Sequence, residues 1–276
     1  MAIRESGTLN TRLYTPYGPE VTSLQAFDES IASLMKTARE QHVTFVRVDP
    51  VGAITAADLQ ARGFKPLTYQ QLQPDHTQVI DLRQSKDEIF ADMSQNSRNI
   101  TKNIHKKGVT IRKSTNPADI TILTSLLAGV ASRNHIRTHD ERYFSLQAET
   151  LFPLGAATLF IAELEGTPIA AALVYDSDDT RTYAHAAADD AYRKLSAGTA
   201  LLGAMILDAK ECGLTTFDLY GITESDDPKH PWYGFTKFKK SFGGTPLAYV
   251  GTWDLPINKP GYWLYRLYQT LARLMR

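Results

Sequence analysis

The chain has 276 residues, 43% of them hydrophobic, with 30 basic and 30 acidic side chains and a formal net charge of zero. That length suits one large domain or two ordinary ones, and balanced charge excludes a global field for nucleic acid, leaving only local patches. A single cysteine, Cys212, excludes an internal disulfide framework and any cysteine metal cluster, which fits a reducing compartment.

Residues 1–21 read as extended and turn-rich, punctuated by Tyr14-Thr-Pro-Tyr-Gly-Pro19. They show no apolar core of a signal peptide, and no uncharged run in the chain approaches the ~20 residues of a membrane span, so a cytoplasmic protein is expected. Thr22 or Ser23 can cap a helix running to Gln41, because Leu24, Phe27, Ile31, Leu34 and Ala38 recur at helical spacing. A strand over 43–48, a short helix over 56–62 and a strand over 76–82 follow. Ser85 and Glu88 form a capping box for one helix reaching Gly108, with Ile89, Phe90, Met93, Ile100 and Ile104 along its apolar side. This helix carries Arg98 and ends in Lys102, His105, Lys106 and Lys107. Such cations suit the helix macrodipole and equally suit phosphates of a nucleotide or RNA; charge alone does not separate the two.

The second half predicts a strand over 109–113, a helix over 117–134, and another after Asp140. Three strands follow, 158–164, 169–175 and 180–186, joined by turns short enough for hairpins. A helix over 196–211 stops at Gly213, and a strand over 217–222 precedes Tyr233-Gly-Phe-Thr-Lys-Phe-Lys-Lys-Ser-Phe-Gly-Gly244. That stretch sets Lys237, Lys239 and Lys240 among Phe235, Phe238 and Phe242. It reads either as a short amphipathic helix or as a site in which a lysine, desolvated by aromatic neighbours, titrates lower or meets a developing anion. A strand over 246–254 and a helix over 262–276 complete the chain.

The order of strand, two helices, three antiparallel strands, helix, strand, helix, strand is that of the GCN5-related N-acetyltransferase fold, and the first half resembles an incomplete copy. The expected fold is therefore α/β (α+β): two tandem GNAT-like domains with mixed central sheets flanked by helices. Residues 1–107 with 255–276 would form the first, incomplete domain with a returning C-terminal helix, and 108–254 the second. In that fold a glycine-containing loop before the helix binds a cofactor pyrophosphate. Here it reads Leu195-Ser-Ala-Gly198-Thr-Ala200, with Leu195 where a polar residue is expected. No bound cofactor is expected.

Seven stretches carry a more specific likeness. They are Tyr17-Gly-Pro19, Phe45-Val-Arg-Val-Asp-Pro50, residues 72–82 around Val79-Ile-Asp-Leu82, residues 98–109, Leu219-Tyr-Gly-Ile222, Phe238-Lys-Lys-Ser-Phe-Gly-Gly244 and Gly251-Thr-Trp-Asp254. In this order they resemble the Fem family (FemABX), peptidyltransferases that add amino acids from aminoacyl-tRNA to peptidoglycan precursors. The resemblance covers residues 14–276. It implies two acyltransferase-like domains with a cleft between them. This sequence is expected to start after an N-terminal segment that contacts the precursor's uridine nucleotide, and to lack the long helical arm of some members.

What the resemblance implies is an aminoacyltransferase that joins an amino acid from aminoacyl-tRNA to the stem-peptide amine of a UDP-MurNAc-peptide or lipid II. It also assigns the key position to the lysine of the Phe-Lys pair, here Phe238-Lys239. Lys237 and Lys240 are the runners-up. No Ser/His/Asp set has recognisable spacing, which argues against a covalent acyl-enzyme. Candidate substrate contacts are Arg47, Arg98, Tyr192, Arg193, Tyr220 and Tyr233, since arginine forks suit phosphate and carboxylate. Arg47 could instead neutralise a neighbouring carboxylate, and Tyr220 could be a core residue. Lys102, Lys106 and Lys107 are the candidates for tRNA phosphates. His185 and His230 lie nearest in sequence, and His135/His139 lack the intervening Glu of a zincin, so no metal is assigned. The last helix, with Tyr262, Trp263, Tyr265, Tyr268, Arg266, Arg273 and Arg276, either docks on the first domain or meets anionic lipid at the inner membrane face. A monomer is expected. The competing readings are an acyl-CoA-dependent N-acyltransferase on the same fold and a non-catalytic precursor- or RNA-binding protein.

Overall fold

A computed structural model describes residues 1–134 and 138–274. His135 and Arg276 therefore lie outside the described residues. The chain divides into two compact units, Met1–Asp75 with Ala248–Arg276, and His76–Leu247.

The first unit contains β1 (Ile3–Gly7), β2 (Asn10–Thr15), β3 (Glu20–Val21), α1 (Leu24–Glu40), β4 (Phe45–Val48), β5 (Val51–Gly52), α2 (Ala56–Ala61) and β6 (Lys65–Pro66). Ser23 accepts a hydrogen bond from Ala26 N at 3.1 Å and so starts α1, whose buried face carries Phe27, Ile31 and Ala38. β4 is buried on both faces, and the alternation of a strand sorts its side chains. Val46 and Val48 pack with Phe27, Phe64 and Trp253, whereas Phe45 packs with Tyr262 and Tyr265. Arg47 shares the Phe45 parity.

The second unit contains β7 (His76–Asp81), α3 (Lys86–Asp92), α4 (Gln95–Asn103), β8 (Val109–Ser114), α5 (Ile120–Asn134), α6 (Glu141–Leu151), β9 (Ala157–Leu164), β10 (Thr167–Ser177), β11 (Thr180–Ala188), α7 (Ala197–Glu211), β12 (Thr216–Gly221) and α8 (Tyr233–Lys240). β13 (Thr245–Ala248), β14 (Trp253–Pro256) and α9 (Lys259–Leu274) finish the chain, the last two back in the first unit. The first unit's sheet runs β1-β2-β4-β14-β6, and the seven-stranded sheet runs β13-β7-β12-β11-β10-β9-β8. Both mix parallel and antiparallel pairs, β2 with β4 and β11 with β12 being parallel. In the second unit helices cover both faces of the sheet. Phe160 and Ala162 cluster with α7, while Leu159 and Ile161 cluster with Leu123 and Phe144 of α5 and α6. The architecture is the mixed α+β one expected.

Several boundaries differ from expectation. The division expected after Lys107 falls after Asp75, because β7 pairs antiparallel with β12 (Phe217 opposite Ile80) and draws the following helices with it. The single helix expected over 85–108 breaks at Met93, which is extended (φ −68°, ψ 145°). Ser94 then caps a new helix by accepting from Ser97 N at 3.2 Å. The strand expected over 246–254 is interrupted before β14, with Gly251 in the left-handed region at φ 76°.

Candidate active site

The site is built where β12 stops being regular. The β12–β7 register shifts after Asp218, and Tyr220 takes φ 63°, a conformation rare for a tyrosine. Asp218 accepts a hydrogen bond from Tyr220 N at 2.7 Å and another from the Thr77 hydroxyl. The Gly221 carbonyl accepts from Lys239 Nζ at 2.7 Å.

α8 presents that lysine because its residues sort by face. Thr236 is buried and its hydroxyl accepts from Thr223 N at 2.9 Å; Phe238 packs edge-on against Phe242 at 5.4 Å between centroids. Phe235, Lys237 and Lys240 are exposed, so of the three lysines Lys239 is the one turned inward. Beyond α8 the chain is tied down tightly. Ser94 N donates to Ser241 O at 2.8 Å, and the Gln78 amide nitrogen donates to Gly243 O at 2.8 Å. Gly244 sits at φ 77°, and a Cβ there would lie 2.2 Å from the Val79 carbonyl oxygen, so the second glycine is dictated by close approach to β7.

Burial of Lys239 disfavours its charged form and brings its pKa down to about 8, with Asp218 acting in the opposite sense. Burial likewise pushes the Asp218 carboxyl up, offset by the Thr77 hydroxyl, Tyr220 N and Lys239. An ammonium carries three donors; one is on Gly221 O, and among the described residues the other two have no hydrogen-bond partner and are open to a ligand. The arrangement can stabilise a developing oxyanion and can give up a proton near neutral pH.

Of the residues predicted from sequence, Tyr233, Phe238 and Lys239 lie on α8, and Tyr220 on β12 directly precedes the Gly221 carbonyl that Lys239 bonds. Burial, then Tyr143 and to a smaller extent Tyr220, holds the Tyr175 hydroxyl above its ordinary pKa. Tyr192 lies half-buried against the core in the 3-10 segment Asp190–Leu195, and Arg193 is exposed there. Arg98 is half-buried on α4. Lys102 stands over the Phe90 ring at 4.3 Å, and Lys106 and Lys107 are exposed in the 3-10 turn Ile104–Lys107.

Arg47 is the exception. It is 2% exposed, and its Nε and one terminal nitrogen donate to the Asp254 carboxylate at 2.7 and 2.9 Å. Its guanidinium is taken up inside the first unit by a carboxylate 207 residues away, the alternative that the sequence left open beside a place among substrate contacts. His230 Nδ1 accepts from Trp232 N at 3.1 Å and so shapes the loop before α8. His185 lines a cavity of about 420 Å³ with Leu127, Thr138, His139 and Phe144. Burial, then His139, brings its pKa down to about 4, so it is neutral at physiological pH.

Asp218 and Thr77 were missed in the sequence. The signal available was Asp218 one residue ahead of the Leu219-Tyr-Gly-Ile222 motif, though its partners are set only by strand pairing.

The FemAB family model matches residues 59–166 and 154–270. The chain belongs to the FemAB family. Among relatives, a lipid II:glycine glycyltransferase of Staphylococcus saprophyticus is 21% identical over 309 aligned positions, covering 86% of this chain and 74% of the relative. The crystal structure of FemX superposes with a TM-score of 0.84 at 18% identity, over 95% of this chain and 85% of that one. The C-terminal domain of a putative lysylphosphatidylglycerol synthetase from Agrobacterium fabrum follows the same fold with a TM-score of 0.65 at 12% identity, over 96% and 83%. The FemAB family fold is thus shared well beyond close sequence relatives.

Proposed function

We propose that this protein is an aminoacyltransferase that moves an amino acid from aminoacyl-tRNA onto the stem-peptide amine of a peptidoglycan precursor. The observation that carries the reading is Lys239, half-buried beside Phe238 with two donors uncommitted among the described residues, in a chain of the FemAB family. The lipid II:glycine glycyltransferase relative supports the acceptor class.

The acceptor amine attacks the ester carbonyl that joins the amino acid to the terminal ribose. A C–N bond forms, the carbonyl oxygen becomes an oxyanion, and Lys239 stabilises it with its free N–H groups. Collapse breaks the ester C–O bond. The departing ribose oxygen takes a proton from the ammonium, and the resulting amine takes the proton shed by the attacking nitrogen. One ester and one amine give one amide and one alcohol, with Lys239 restored. The ester is already activated, so positioning supplies much of the remaining acceleration.

Tyr220, Tyr233, Arg98, Tyr192 and Arg193 are the proposed contacts to the precursor. Lys102, Lys106 and Lys107 meet tRNA phosphates. A coenzyme A donor is disfavoured because Leu195 packs against the core, so apolar contact occupies the position that would face a pyrophosphate.

Mass spectrometry of a precursor incubated with the protein and a pool of charged tRNAs tests the reaction. A single added amino-acid mass is expected, and Lys239→Met should lower turnover ~10²–10³-fold while both substrates still bind. Full turnover by Lys239→Met would remove Lys239 from the chemistry. Transfer from acetyl-CoA and none from charged tRNA would replace the donor.

A further inference from the structure

α9 has two faces with different partners. Its inner face packs on the first unit: Tyr262 and Tyr265 meet Phe45 at centroid distances of 5.3 and 5.2 Å, and the Tyr265 hydroxyl bonds that of Tyr69 at 2.6 Å. The outer face is apolar and bare. Trp263 is 60% exposed, Leu267 57% and Leu274 80%, with Leu264 and Leu271 also exposed. At 3.6 residues per turn these five side chains fall within a stripe about 100° wide along a helix about 24 Å long. Soluble surfaces seldom leave such a patch uncovered.

The charges say what covers it. Lys259 and Arg273 are exposed along one edge of the stripe, while Arg266 between them turns onto the Tyr69 ring at 5.1 Å and the Tyr262 hydroxyl at 3.3 Å, and α9 contains no Asp or Glu. Tyr268 borders the other edge. An apolar stripe with a cationic border and aromatic residues at its margins matches the boundary between acyl chains and anionic headgroups. A second copy of the chain would oppose like charges along α9. Among the described residues no helix is long and apolar enough to cross a membrane.

We infer that the outer face of α9 seats the protein on an anionic lipid surface. The helix lies in the plane of the interface, Trp263, Leu267 and Leu271 sink among the acyl chains, and Lys259 and Arg273 meet headgroup phosphates. The inference stands on α9 and does not require the Lys239 chemistry. With a lipid-borne acceptor it would bring enzyme and substrate onto one surface.

The full chain should sediment with vesicles of phosphatidylglycerol and phosphatidylcholine, more weakly with phosphatidylcholine alone, and less at high salt. Leu267→Glu/Leu271→Glu should reduce the partition coefficient at least ~10-fold. That variant changes only exposed positions, so its thermal melt should match the parent, and transfer to a lipid-free acceptor should be unaltered, which separates this inference from the reading of the active site. Quenching by brominated lipid that Trp263→Phe abolishes gives a readout independent of the double variant. Parent protein that ignores anionic vesicles overturns the inference. So does a concentration-dependent dimer that Leu267→Glu/Leu271→Glu dissolves, which would assign the stripe to a second copy.

Discussion

Arg47 in the first unit and Lys239 in the second are both cations withdrawn from water near an aspartate, yet only Arg47 hydrogen-bonds its carboxylate. Arg47 aligns two nitrogens on the two oxygens of Asp254. Desolvation works against its charge, and the hydrogen bonds and attraction of Asp254 more than restore it, so its pKa ends above the ordinary value. Lys239 bonds a neutral carbonyl, and Asp218 is turned to Tyr220 N and Thr77 instead. Its pKa therefore falls. Burial of a charge marks a reactive group only where the compensating partner is incomplete.

The largest effect should come from breaking the satisfied pair. Arg47→Met leaves the Asp254 carboxylate buried without its cation, which costs about 3–5 kcal/mol and should be read as a large drop in denaturant midpoint. If turnover per folded molecule fell while the midpoint held, Arg47 would belong with the substrate contacts after all. Lys239→Met should behave in reverse: a loss of turnover ~10²–10³-fold with stability unchanged or raised, since a desolvated ammonium is removed.

A pH series sharpens the contrast. Turnover that requires the ammonium should fall above pH ~8, approaching tenfold per unit, and the fall should be absent from the residual rate of Lys239→Met. Stability should move the other way. The lysine binds its proton more weakly in the folded state than at its ordinary value of 10.5, so between about 8 and 10.5 the unfolded chain holds more protons. Its contribution to stability therefore rises with pH across that window and is lost as pH falls through about 8. Arg47 stays charged throughout and contributes no such slope.

The same contrast explains what could be read in the sequence. Ser23, the Ser85–Glu88 box and the apolar spacing that follows each are local signals, and the helices begin where those residues say. The break at Met93 was hidden because Ile100 and Ile104 continue the apolar pattern past it, while the competing cap at Ser94 is a single hydroxyl. The Phe-Lys and Gly-Gly pairs were legible as a motif. What each does was not, because Lys239 is seated by a carbonyl 18 residues away and Gly244 is required by β7. Arg47 stays ambiguous in the sequence for the same reason: its carboxylate arrives on β14, at the far end of the chain, in a register no spacing announces.

Lys102, Lys106 and Lys107 supply the third case, cations that burial has barely touched. They are exposed at a helix end, so water satisfies their donors and the macrodipole favours their charge. Such residues can bind phosphate without being strained toward reactivity, and the gain is entropic, from counterions released on binding. Replacing all three by Ala should flatten the logarithmic salt dependence of charged-tRNA binding by about 2, near 0.7 for each single-stranded phosphate no longer neutralised, and raise KM for tRNA severalfold with kcat kept. Folding should be indifferent, apart from the packing of Lys102 on the Phe90 ring, worth about 0.5–1 kcal/mol at an exposed site. An unchanged salt slope with a lowered melting temperature would assign the cluster to helix-end electrostatics, and the tRNA track would then have to be sought around Arg98 and Arg193.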